Sequence, residues 1–336
     1  MLFCSLCPPV YDLCLIIVKS LGVASWISLW RSACTTWFPA PSCRRTFGFP
    51  APPVHCSKGH LPHSSWYYNG LIPAVVLSFC FVLGVPGNLA VILLKSKWKK
   101  ISSLSQSLML NLAISDLLGL LTLPPKIYAS LFDWKFGLVA CKILNYLLYI
   151  SIYGSQLTVT VLGIQRYLQV VHQEKWHQGQ KRVRLVLLWL VAVILSIPVL
   201  VDRQVITNQQ RTVCQPQYSS EAQWVVVLLT ETLFGFFSVL LVLISYIRLN
   251  RKIKRVVFFN HPRTTQLITS IIVSNFVLWS PFIVINVLGV VAICAKNEGL
   301  LNFCSNTWVL VKALTVVIRC LNPLLYAYNS RTILTT

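Results

Sequence analysis

Residues 71–94 read LIPAVVLSFCFVLGVPGNLAVILL, 24 residues without a charge. A helix needs about 20 apolar residues to cross the hydrocarbon core of a bilayer, so this run reads as a membrane span. Six more runs of the same kind follow, at about Leu104–Pro125, Leu138–Tyr167, Val183–Val201, Ala222–Ile247, Thr265–Ala295 and Thr307–Asn329. Several are longer than a bilayer requires, which predicts tilt or extension beyond it. The expected fold is an all-α integral membrane protein, a seven-transmembrane helix bundle over residues 69–329.

Composition agrees. Of 336 residues, 56% are hydrophobic and 11% charged, where soluble chains carry about 25% charged residues. Lys and Arg outnumber Asp and Glu by 29 to 8. The cations sit in short clusters between the apolar runs, so they read as loops at a membrane surface and no nucleic-acid partner is expected. One side holds Lys95, Lys97, Lys99 and Lys100, then Arg166, Lys175, Lys181, Arg182 and Arg184, then Arg248–Arg263 with six basic residues. The other holds Lys126, Lys135, Lys142, Arg203, Arg211 and Lys296, offset by Asp133, Asp202, Glu221 and Glu298. By the positive-inside rule the first side faces the cytoplasm. Seven spans then put the N-terminus outside the cell and the C-terminus inside, in a multi-pass protein expected at the plasma membrane.

Residues 1–68 carry six of the twelve cysteines and no clear periodicity. They read as an irregular extension, either a disulfide-bonded head or a non-native segment, with no function assigned. Residues 330–336 read as a truncated cytoplasmic tail. No paired C-x-x-C motif, nucleophile–base set or phosphate loop is visible. No metal, cofactor or enzymatic activity is expected.

Polar residues inside spans are costly and so point to function. The first span holds Gly87-Asn88, and the second Asn111-Leu112-Ala113-Ile114-Ser115-Asp116. Trp134-Lys135-Phe136-Gly137 precedes Cys141, and the third span ends Gln165-Arg166-Tyr167. The fourth has Trp189 and Pro198, the sixth Trp279-Ser280-Pro281, the seventh Asn322-Pro323-Leu324-Leu325-Tyr326. In order and spacing this set resembles the rhodopsin-like (class A) G-protein-coupled receptors. Asn145-Tyr146, Ser151–Ser155, Pro198–Arg203, Cys214–Glu221, Glu231, Gly235-Phe236 and Trp279–Asn286 narrow the resemblance to chemoattractant receptors, most similar to the leukotriene B4 receptors.

The resemblance implies a cell-surface receptor for a lipid chemoattractant, most similar to a leukotriene B4 receptor, that transmits binding to a heterotrimeric G protein. The alternatives are a peptide chemoattractant receptor of the formyl-peptide type and a non-signalling decoy. It also implies a Cys141–Cys214 disulfide tethering the second outer loop over the bundle; a Cys294–Cys304 bridge is a second candidate.

A hydroxy fatty acid needs a cation for its carboxylate, hydrogen-bond partners for its hydroxyls and an apolar slot for its chain. Arg203 and Lys312 are the candidate cations. Glu231, Asn286, Asn145 and Tyr153 are the candidate polar contacts; helix-packing hydrogen bonds are the alternative role for Tyr153 and Asn286. Asn145 stands where the leukotriene pattern has histidine, and Trp224 where it has arginine. Leu148 occupies the place of the aspartate of amine receptors, which argues against an amine ligand.

On the cytoplasmic side the resemblance gives Arg166, Tyr246 and Tyr326 roles in G-protein coupling, with Trp279 and Asn322 as switch residues. The short basic third loop matches receptors coupled to inhibitory G proteins. Gln165 replaces an acid that locks the arginine in relatives; Ser238 and Asn275 also depart from the pattern. Asp116 and Ser155 match a sodium site. Arg319 stands where relatives carry a small polar residue, and is expected either to pair with Asp116 in place of the ion or to turn away from it.

Overall fold

The structure, a computed structural model, describes residues 70–94, 103–171, 178–207, 211–255 and 262–334. The extension 1–68 and the lysines at 95–100 lie outside the described residues. Among the described residues eight helices carry seven spans: α1 (Ile72–Leu93), α2 (Ser103–Leu121) with α3 (Leu123–Leu131), α4 (Gly137–Val171), α5 (Gln178–Asp202), α6 (Glu221–Arg255), α7 (Pro262–Cys294) and α8 (Glu298–Leu334). Helices α2 and α3 share the second span, and all seven spans are long and apolar enough to cross a membrane.

The spans close on themselves. The first packs on the second and seventh, the second on the third, and the third on the fourth and fifth. The fifth packs on the sixth and the sixth on the seventh. The outside of this ring is apolar. Val75, Phe79 and Val82 of the first span are exposed, as are Val183, Val186, Leu187, Leu190 and Ile194 of the fourth. Recurrence every three or four residues is one stripe of each helix. A stripe of this kind is what lipid solvates; in water it would drive association. Inside, Leu108, Met109, Leu112, Val159, Leu162, Ile271 and Ile272 form a core cluster joining the second, third and sixth spans.

The second span does not end at Pro125. Thr122 closes α2, its hydroxyl donating to the Gly119 carbonyl at 2.7 Å. Pro124 and Pro125 then sit in the first turn of α3, where a missing N–H costs nothing because that turn has no intrahelical acceptor. The helix therefore runs on to Leu131 and carries Lys126 in a span rather than in a loop.

The seventh span begins at Glu298, not Thr307. Asn297 starts it: its Oδ1 accepts from the Leu300 N–H at 3.0 Å, and Glu298 places a negative charge on the first turn. The helix continues through Leu334.

Between the fourth and fifth spans the chain forms an antiparallel hairpin, β1 (Arg203–Thr207) with β2 (Thr212–Pro216), Val205 facing Cys214. Cys141 and Cys214 are disulfide-bonded. The Trp134 N–H donates to the Thr212 carbonyl at 2.8 Å, and Arg211 Nη2 to the Phe132 carbonyl at 3.0 Å. The hairpin is thus fixed across one end of the bundle. Cys294 and Cys304 are not bridged. Cys304 is buried in the cluster around Trp279, while Cys294 packs with Val287 and Val290.

Candidate ligand cavity and helix-core cluster

Beneath the hairpin lies a cavity of about 520 Å³, within the range of small-ligand pockets. Leu77, Leu123, Ile152, Phe234, Phe282 and Val316 give it apolar walls. Of the six expected contact residues, Arg203, Lys312, Glu231, Asn145 and Tyr153 line it. Asn286 stands one layer behind. Its Nδ2 donates to Glu231 Oε2 at 3.1 Å, and its Oδ1 accepts from Trp308 Nε1 at 2.9 Å. Leu148 is in the wall at the position where amine receptors carry an aspartate, and Glu231 is the carboxylate of the lining.

Arg203 follows the last residue of the fourth span and starts β1, so the hairpin aims it at the cavity. Its guanidinium lies 5.9 Å from the centre of the Tyr149 ring, and its Nε is buried with no hydrogen-bond partner. Lys312 opens onto the cavity from the seventh span and forms no salt bridge among the described residues. These two cations stand with one carboxylate, Glu231, among apolar walls, an arrangement that can hold an acid on an apolar body.

The sequence reading missed two cations of the wall, Lys126 and Arg319. Lys126 Nζ donates to Asn145 Oδ1 at 2.7 Å, and Asn145 Nδ2 donates to the Cys141 carbonyl at 2.8 Å. Asn145 is thereby turned into the holder of a lysine. A lone lysine directly after two prolines was the available signal.

Aromatic rings close the hairpin end. Tyr218 stacks on Trp224 at 5.7 Å, and Trp224 lies 6.0 Å from Trp308. Burial, ahead of repulsion from Glu231, raises the Tyr218 phenol above its ordinary value, so it stays a neutral donor. Tyr153 meets Phe234 edge-on at 4.9 Å. Trp279 borders the cavity and meets Phe282 edge-on at 5.5 Å.

Deeper in the bundle, Asp116 is fully buried. Its Oδ1 accepts from Ser155 Oγ and its Oδ2 from Asn322 Nδ2, both at 2.7 Å. Arg319 Nη1 lies 3.8 Å from Asp116 Oδ1 and donates to the Ser151 hydroxyl and, at 3.4 Å, to the Ser115 carbonyl. A fixed guanidinium here repels a second cation, so these residues do not fit a sodium ion.

Gly119 makes room for this arrangement. A Cβ there would run into the Arg319 guanidinium and the Ser151 hydroxyl. Gly119→Ala is expected to destabilise by about 1–3 kcal/mol, read as a lower apparent melting temperature in detergent. An unchanged temperature would mean that Arg319 has room to move aside.

At the opposite end Gln165 Nε2 donates to Ser105 Oγ at 3.2 Å and to Gln169 Oε1 at 3.3 Å. The contact between second and third spans at this position is neutral. Tyr246 is half-buried on the fifth span. The side chains of Arg166 and Tyr326 lie outside the described residues. Ser238 is buried, and so is Asn275, whose Oδ1 has no partner.

Residues 87–326 match the family described as 7 transmembrane receptor (rhodopsin family). The chain is 29% identical to the human C-C chemokine receptor type 8 over 283 residues, 77% of this chain and 76% of that one. It is 30% identical to the human type-1 angiotensin II receptor over 284 residues, 78% of each, and 30% identical to the pig type-1 angiotensin II receptor over the same shares. The narrower resemblance to leukotriene receptors finds no support among these relatives. The match over residues 87–326 nevertheless settles the family: the chain belongs to the rhodopsin family of seven-transmembrane receptors, the class A G-protein-coupled receptors.

Proposed function

We propose that this receptor recognises an acidic lipid mediator of the leukotriene B4 type and signals through an inhibitory heterotrimeric G protein at the plasma membrane. In this reading the hairpin end faces outside, residues 69–329 form the receptor domain, and 330–336 belong to the cytoplasmic tail. The observation that carries the reading is the pair Arg203 and Lys312, short of protein partners beside apolar walls. They bind the carboxylate; Tyr153 takes a hydroxyl, Leu77, Ile152 and Phe234 take the chain, and Asn145 holds Lys126 at the wall. Binding shifts a resting–active equilibrium through Trp279 and Asn322 toward the cavity at Arg166, Tyr246 and Tyr326.

The named relatives favour a second reading, a peptide or small protein whose C-terminal carboxylate enters the same cavity. A binding screen on membranes carrying the full chain separates the two. Leukotriene B4 and related eicosanoids are expected to bind and formylated or C-terminally free peptides to fail. The reverse pattern selects the peptide reading. A G-protein activation assay on the same membranes separates a signalling receptor from a decoy.

Gln165 cannot pair with Arg166 by charge. Ligand-independent activity is therefore expected to be raised, and Gln165→Asp to lower it. An equal or higher basal signal in that variant contradicts the lock argument.

A further inference from the structure

The cavity wall carries four cations and one carboxylate: Lys126, Arg203, Lys312 and Arg319 against Glu231. Asp116 and Asp202 stand behind the wall. Asp202 is engaged by Gln223 Nε2, and Asp116 already accepts two hydrogen bonds at 2.7 Å. Even with both counted, positive charge is in excess.

Among the described residues Arg319 is the one of these four cations with a salt bridge, to Asp116. Arg319 is only 3% exposed, yet it belongs to the cavity lining, and its Nε is buried without a hydrogen-bond partner. Its approach to Asp116, at 3.8 Å through Nη1, is longer than a charge-assisted hydrogen bond. Asp116 offsets the charge but leaves the Nε donor open, and an unmet buried donor is costly.

Depth separates this point from the acid site above it. Arg319 follows Lys312 by seven residues on the same helix, about 10 Å at 1.5 Å per residue. It is also the lining residue of that helix furthest from the hairpin. A carboxylate held by Arg203 or Lys312 does not satisfy it.

We propose that the floor of the cavity is a second anion subsite, built on Arg319, that takes a compact monoanion. Its source is either the far carboxylate of a two-headed, α,ω-dicarboxylic lipid or a free halide bound beneath a one-headed acid. The lipid source rests on the acidic-lipid reading above; the halide source does not.

The test uses the full chain, purified in detergent, with Asp116→Asn/Arg319→Ser as the control lacking the subsite and its buried counter-charge. Two quantities are measured in chloride and in the bulkier gluconate: the apparent melting temperature without ligand, and the affinities of matched C20 hydroxy mono- and dicarboxylic acids. If the lipid supplies the anion, the diacid binds at least tenfold more tightly than the monoacid, with no dependence on chloride. If halide supplies it, the monoacid loses at least threefold in gluconate and the ligand-free protein melts lower there. Either effect must vanish in the double variant; one that persists overturns the proposal. Equal affinities of the two acids with no chloride effect also overturn it and leave the acidic-lipid reading standing. Chloride stabilisation with no binding of either acid keeps the subsite and rejects the lipid reading. If no acid binds and chloride has no effect, both fall. Should the double variant not fold, the chloride and diacid comparisons on the parent chain still decide.

Discussion

Arg203→Ala and Lys312→Ala are each expected to weaken an acidic lipid ligand about ten- to hundredfold. A hydrogen bond to a charged group contributes about 1.5–3 kcal/mol, which converts to that range. The two variants differ in what they leave behind. Arg203 Nε bonds to no protein group, so removing the side chain orphans nothing there, and surface expression is expected to be preserved. Lys312 lines the same cavity as Glu231. Its removal takes a positive charge away from that half-buried carboxylate, which accepts from Asn286 Nδ2 at 3.1 Å, so some loss of expression accompanies the loss of affinity. Radioligand saturation on variants matched for surface expression measures the effect. Unchanged affinity in both variants removes the anion pocket from the account.

Asp116→Asn is expected to have the largest effect on folding. The amide keeps the shape of the side chain but removes the negative charge beside a buried guanidinium. Breaking a buried pair by deleting one partner costs roughly 3–5 kcal/mol. Here Ser151 and the Ser115 carbonyl still bond to Arg319, which places the expectation toward the lower end. Folding yield should fall sharply, and adding Arg319→Ser should recover much of it. Arg319→Ser alone leaves Asp116 with Ser155 and Asn322 and no fixed cation, so it is expected to create a sodium dependence of ligand binding that the parent chain lacks. Additive single effects on surface expression, together with a sodium response in the parent, contradict the pairing.

The seven spans were legible because their apolar runs are long and their loops strongly basic, two signals that local context hardly alters. Where the reading slipped, short-range chemistry had overruled hydropathy. Polar Asn302, Ser305 and Asn306 hid the start of the seventh helix, although Asn297-Glu298 is a readable N-cap signal. By hydropathy Pro124-Pro125 reads as the end of a span, but it opens α3 and so carries Lys126 into the cavity wall. The hairpin was not legible. Its strands are five residues each, too short for a period-2 pattern, and its position depends on Cys141 and Trp134 in distant parts of the chain. Arg319 stands out in the sequence as an oddity of the seventh span, with pairing to Asp116 as one of two expectations. Its place in the cavity wall is not legible there, because that depends on how the second, third and seventh helices pack.

The central claim is that the cavity recognises a negative charge carried on an apolar body. Its most direct test compares leukotriene B4 with its methyl ester for binding to membranes carrying the full chain. The ester keeps the chain and hydroxyls and removes only the charge. The acid is expected to bind and the ester to be weaker by at least tenfold, with the difference shrinking in Arg203→Ala/Lys312→Ala. Equal binding of acid and ester, or binding of neither, would contradict the claim.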